Sequence, residues 1–72
     1  MSSKRYDSTA FRHNLRAIRE MHELTQEQLA EKAGLQPAAI SHFETGQRQP
    51  GLRNLVKLCI ALNTSPDSLL TP

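Results

Sequence analysis

A chain of 72 residues with a net charge of +2 and one cysteine has room for a single domain, near the lower size at which a hydrophobic core alone can hold a fold. An internal disulfide is excluded, a buried catalytic cleft has little space, and no segment approaches the ~18 consecutive apolar residues of a membrane span. The opening MSSKRYDST has no apolar run behind its basic residues, so the sequence reads as soluble and cytoplasmic with no membrane partner, and Cys59 reads as a core thiol.

The distribution of charge says more than its sum, which is too small to name a polyanion partner. Residues 1–19 hold Lys4, Arg5, Arg12, Arg16 and Arg19 against Asp7, whereas residues 20–31 hold Glu20, Glu23, Glu27 and Glu31 with no base; Arg48, Arg53 and Lys57 follow later. Segregated basic groups suit phosphate contact better than an even mixture. The plain alternative is a solvated surface with ion pairs Arg16–Glu20 and Arg19–Glu23 at i,i+4 spacing.

In chain order, residues 1–7 lack periodicity and are expected to form a flexible arm, with residues 8–72 as the folded domain. A first helix starts near Ser8 or Thr9, either of which can cap it, and runs to about His22. Phe11, Leu15 and Ile18 form its apolar stripe, and Arg12, Arg16 and Arg19 share a neighbouring face. A second helix opens on a capping box, Thr25 with Gln28, turns Leu29, Ala30 and Ala33 inward, and ends at a left-handed Gly34. A third begins after Gln36 with Pro37 at its first position and ends at Gly46. Only Gly34, Leu35 and Gln36 separate these two helices, the spacing of a helix-turn-helix.

The loop QRQPG leads into a fourth helix, Leu52 to Leu62, with Asn63 as its left-handed stop. Leu55, Leu58, Cys59 and Leu62 make a core stripe, but Leu52, Val56 and Ile60 widen the apolar arc to about 200°, roughly twice what a surface helix needs. Either a fifth helix covers the excess or a second subunit does, which makes Leu52, Val56 and Ile60 the dimer-interface candidates. That fifth, short helix starts at Ser65-Pro66-Asp67-Ser68. No stretch alternates like a strand, so the fold class is all-α, a five-helix bundle.

Catalysis finds no support. His13, His22 and His42 lie on different segments without a metal-ligand spacing, and there is no glycine-rich phosphate loop, nucleophile elbow or apolar-set carboxylate pair. No metal and no cofactor is expected. The third helix is more informative: Ile40 and Phe43 must face the core, which turns Ala38, Ser41, His42 and Thr45 outward with Gln36 at the mouth. In a helix laid in the major groove, those positions meet base edges.

The stretch from Leu24 to Leu70, with its Leu24-Thr25-Gln26, Leu29-Ala30, Gly34, Ile40, Phe43-Glu44, Gly46, Pro50 and closing Leu69-Leu70, resembles the helix-turn-helix of Cro and lambda-type repressors, the xenobiotic-response-element type of regulator. The similarity runs over about residues 11–70. It implies a lambda-repressor-like bundle, sequence-specific binding of double-stranded DNA by a transcriptional regulator, a repressor of bacterial or phage origin, and a homodimer on an approximately palindromic operator. By the same resemblance Gln26 contacts a phosphate and props the reading helix. Pro37, Ala38 and His42 match base-reading positions, Arg19 and Glu44 match a structural ion pair, and Arg48 and Gln49 match the loop along the duplex backbone.

Two departures matter. Gln36 stands where the family places a Ser or Thr cap, so its side chain is expected to point outward, and Pro37 and Ala38 replace polar readers. An alanine methyl touching a thymine methyl discriminates by less than the ~1–3 kcal/mol of a bidentate pair. The expected reading set is therefore Gln36, Pro37, Ala38, Ser41, His42 and Thr45, with Gln26, Arg48, Gln49, Arg12 and Arg16 on phosphates. The arm at Lys4 and Arg5 either adds a DNA contact or has no such role. The same bundle also serves in antitoxins and adaptors, so a protein-interaction module with a protein partner is the alternative.

Overall fold

The computed structural model describes residues 7–72. Six fully enclosed side chains build its centre, and every helix supplies at least one: Leu15 from α1 (Ser8–Met21), Leu29 from α2 (Gln26–Ala33), Ile40 from α3 (Pro37–Thr45), Leu58 and Leu62 from α4 (Leu52–Leu62), and Leu69 from α5 (Pro66–Leu70). Phe11 and Phe43 join them edge to face, ring centroids 6.4 Å apart, a geometry that matches ring edge to ring face. No strand occurs among the described residues; the fold is an all-α bundle. Nor is any described helix long and apolar enough to cross a membrane.

Local chemistry sets most helix ends. Thr25 accepts from the Gln28 N–H at 3.0 Å while Gln28 Oε1 accepts from the Thr25 N–H at 2.8 Å, the reciprocal capping box of α2, and Gly34 closes that helix in the left-handed region. Gln36 makes no side-chain cap bond, and Pro37 at the first position removes one N–H that would otherwise need a partner. Asn63 ends α4 with positive φ, and Ser65 caps α5.

Two ends differ from the sequence expectation. The cap of α1 is Asp7, not Ser8 or Thr9: its Oδ1 accepts the Thr9 N–H at 2.8 Å, because a carboxylate both accepts the bond and complements the positive helix end. Its own N–H donates to the Leu70 carbonyl, so Asp7 belongs to the folded unit and not to the arm; Lys4 and Arg5 lie outside the described residues. At the other end of α1, Glu23 sits at φ 58°, in the position where a Schellman cap favours glycine. Its N–H donates to the Glu20 carbonyl and that of Leu24 to the Arg19 carbonyl.

Long-range polar contacts then lock the helices. Asn14 Nδ2 donates to the Leu69 and Thr71 carbonyls, fastening α5 to α1. Arg19 faces Glu44 on α3, the pairing implied by the resemblance, and not Glu23 of the i,i+4 alternative, with Nε 2.6 Å from Oε2 and Nη2 3.0 Å from Oε1, while Nη1 donates to the Leu24 carbonyl. Both side chains are nearly enclosed, at 11% and 4% exposure. Hydrogen bonding to Glu44 holds the Arg19 pKa above its ordinary value despite the opposing effect of burial, so this pair keeps its cation until the pH climbs beyond the normal guanidinium range.

Packing also answers the question about α4. Its Leu58, Cys59 and Leu62 are buried, but α5, packed against α1 and another face of α4, leaves Leu52, Val56 and Ile60 exposed by 78%, 45% and 75%. Burial pushes the Cys59 thiol up, which keeps it protonated and unreactive at neutral pH; the stability this contributes is lost only as pH rises through the raised pKa.

Two stability measurements follow from these geometries. Glu23→Gly removes a side chain from a left-handed residue and should raise the unfolding free energy by about 0.5–1 kcal/mol, read as a higher urea midpoint at constant slope. Glu44→Ala leaves the enclosed Arg19 charge unpaired and should cost about 3 kcal/mol, whereas Arg19→Met combined with Glu44→Leu should cost less than that single change. A double variant weaker than Glu44→Ala would show that the pair itself supplies net stability.

Candidate nucleic-acid interface

The outward face of α3 is held by two clamps. Near its C-terminal end, Gln26 from the start of α2 donates through Nε2 to Glu44 Oε1 at 3.1 Å, so the Arg19–Glu44 pair joins three helices through one carboxylate. At the next residue, Arg12 Nη1 donates to the Thr45 carbonyl at 3.0 Å. Gly46 follows at φ 81°, and a Cβ there would collide with the Arg12 guanidinium. Glycine is thus required twice at that position, for the backbone angle and for the approach of Arg12.

A shallow groove opens between the starts of α2 and α3, lined by Thr25, Gln26, Glu27, Pro37, Ala38 and Ser41 with Arg19 at its floor. Gln36 and Ala38 are exposed, and Ser41 is half-buried. Neither the Gln36 amide nor the Ser41 hydroxyl has a hydrogen-bond partner among the described residues, so both can bond outward. Glu27, which reads in sequence as part of a solvated acidic face, lines the same groove and places a negative charge beside it.

The remaining expected readers divide. His42 is half-buried, its Nδ1 enclosed without a partner among the described residues. Thr45 is exposed, but its Oγ1 donates to the His42 carbonyl at 3.2 Å and accepts from the Gln47 N–H at 3.4 Å. The Thr45 hydroxyl proton is therefore engaged within the helix end, which removes it as a donor to an outside partner.

The basic residues divide as well. Arg48 and Gln49 are exposed on the loop after α3, where the Arg48 N–H also donates to the His42 carbonyl. With Ser8, Thr9 and Arg12 they surround a small pocket at the start of α1. Arg12 enters that pocket with one nitrogen already bonded to Thr45 and with Nε enclosed and unpartnered. Arg16 lines neither recess; it is exposed and pairs with Glu20 at 3.2 Å. The contacts of Arg12 and Gln26 with α3 span 33 and 18 residues of sequence, and no local pattern announces them.

A helix-turn-helix family model matches residues 15–69. Over 58 residues, 81% of this chain and 69% of the relative, the sequence is 45% identical to the control protein C.SmaI of Serratia marcescens. The chain spans about half the length of the HTH-type regulators it matches in Bacillus subtilis. Among solved structures, the restriction-modification controller protein C.AhdI of Aeromonas hydrophila superposes with a TM-score of 0.84 at 38% identity, over 89% of this chain and 97% of that one. The P22 c2 repressor, solved in complex with a synthetic operator, superposes with a TM-score of 0.79 at 35% identity, over 83% and 91%. The chain belongs to the helix-turn-helix family and is a DNA-binding transcriptional regulator of the Cro and lambda-repressor type, not an enzyme.

Proposed function

We propose that the chain binds an approximately palindromic operator as a homodimer, with α3 of each copy in one of two successive major grooves and half-sites roughly 34 Å apart. The observation that carries this reading is the double clamp on α3. Arg19, Gln26 and Arg12 all bond to Glu44 or Thr45, which fixes the roll of the helix and leaves its Gln36 and Ser41 groups free.

Gln36, Ser41 and His42 supply hydrogen bonds to base edges, and Pro37 and Ala38 supply shape and a methyl contact. Gln26, Arg48 and Gln49 hold phosphates, supported by the remaining guanidinium nitrogens of Arg12 and by Arg16 at the edge of the footprint. Thr45 drops to a contact through shape alone. Leu52, Val56 and Ile60 form the dimer interface, an apolar stripe that α5 leaves uncovered. The likeness to the restriction-modification controller protein C.AhdI favours control of restriction-modification genes as the regulated process, in the cytoplasm where the target duplex lies.

Binding-site selection from a random duplex pool, combined with a mass measurement of the free protein, tests the reading. We expect a motif with two-fold symmetry, a dimer, and an affinity that falls about 10³-fold between 50 and 200 mM salt, as for six or more phosphate contacts. Ile60→Glu should give a folded monomer with operator affinity reduced more than about tenfold, since one half-site then acts alone. Absence of salt-sensitive duplex binding at micromolar protein would instead support the protein-interaction alternative.

A further inference from the structure

The proposed reading of DNA leaves open what chemistry His42 contributes, and its surroundings answer that. The turn that carries it is fixed. Its carbonyl accepts from the Arg48 N–H and the Thr45 hydroxyl, both at 3.2 Å, and the Thr45 carbonyl accepts from Arg12. The imidazole therefore projects from a backbone with little freedom to adjust.

The two ring nitrogens are in opposite situations. Nδ1 is enclosed and has no partner among the described residues. Nε2 has no partner among the described residues either, yet it is not among the enclosed atoms, so it is the nitrogen open to the outside. A neutral imidazole carries one proton. Placed on Nδ1, it would be a buried N–H donor with nothing to receive it; placed on Nε2, it is solvated in the free protein and available to a ligand. The geometry points to the Nε2–H tautomer.

We propose that His42 reads the operator as a single outward donor, and that its partner is a guanine. In the major groove guanine offers two adjacent acceptors, N7 and O6, with no donor between them. Adenine sets its N6 amino group beside N7, thymine flanks O4 with a methyl, and cytosine presents only an amino donor there. A lone N–H is thus accepted best by guanine and refused by cytosine. The inference rests on the DNA-reading function and adds to it a base identity at one position of each half-site.

Selection from a random duplex pool with the wild type, His42→Ala and His42→Gln decides it, each variant first checked for native helix content by circular dichroism. The wild type should enrich guanine at one position per half-site. That preference should be flat in His42→Ala and should move to adenine in His42→Gln, because an amide donates and accepts side by side and so matches adenine N6 and N7. Replacing that guanine by 7-deazaguanine should weaken the wild type about three- to tenfold and leave His42→Ala binding as it was. An identical motif in wild type and His42→Ala, or a His42-dependent preference for cytosine, would overturn the assignment while leaving DNA reading intact. Enrichment of no sequence by the wild type would overturn both.

Discussion

The carboxylate of Glu44 is the joint on which the arrangement of the first three helices depends. It accepts twice from Arg19 of α1 and once from Gln26 of α2, and it is almost wholly enclosed. Removing two charges from water costs several kcal/mol per ion, which the mutual attraction offsets only when the remaining donors and acceptors are also satisfied. Here each guanidinium nitrogen has a partner, since the third bonds the Leu24 carbonyl. Apolar residues could fill the same space, but Leu–Met contacts tolerate rotation about a helix axis. A bidentate pair does not. What the cluster supplies above all is a fixed roll of α3, and that roll decides which side chains face outward.

The second clamp, Arg12 on Thr45, holds the next residue of the same helix and changes the charge map of the molecule. Three arginines of α1 lie within eight residues of sequence, yet two of them, Arg12 and Arg19, are turned onto α3 as structural donors. Only Arg16 of that group stands free of α3, and it is matched by Glu20. The basic cluster that sequence shows is therefore not a basic surface in the fold. Arg48, exposed on the loop after α3, stands outside that group, and its backbone N–H is bonded to the His42 carbonyl.

Local interactions made the helices legible in the sequence. The capping box of Thr25 and Gln28, the left-handed Gly34, Gly46 and Asn63, and proline at the starts of α3 and α5 all act within one turn of chain, and their residue types carry the signal. The errors lie where neighbours compete or where distance enters. Asp7, Ser8 and Thr9 can each cap α1, and only the bond to Leu70 shows why the chain turns at Asp7. At the candidate interface, periodicity places Ala38, Ser41, His42 and Thr45 outward, but it cannot show that the Thr45 hydroxyl closes its own helix or that one nitrogen of His42 is enclosed.

A reading helix that opens with proline and alanine offers few hydrogen bonds for each half-site. The fold answers this through rigidity between surfaces. The loop from Gly46 to Gly51 is pinned near its start to α3 through the Arg48 N–H and to α1 through the close approach of Arg12 to Gly46, and α4 packs against α2, the helix that shares the Glu44 joint with α3. In the proposed homodimer, the stripe of Leu52, Val56 and Ile60 then sets the separation of the two reading helices. In the same proposal, base identity is chosen by Gln36, Ser41 and His42. Weak discrimination in one half-site becomes substantial when a fixed spacing requires two half-sites at once, because the binding free energies of the two add while the loss of rotational and translational freedom is incurred once for the pair.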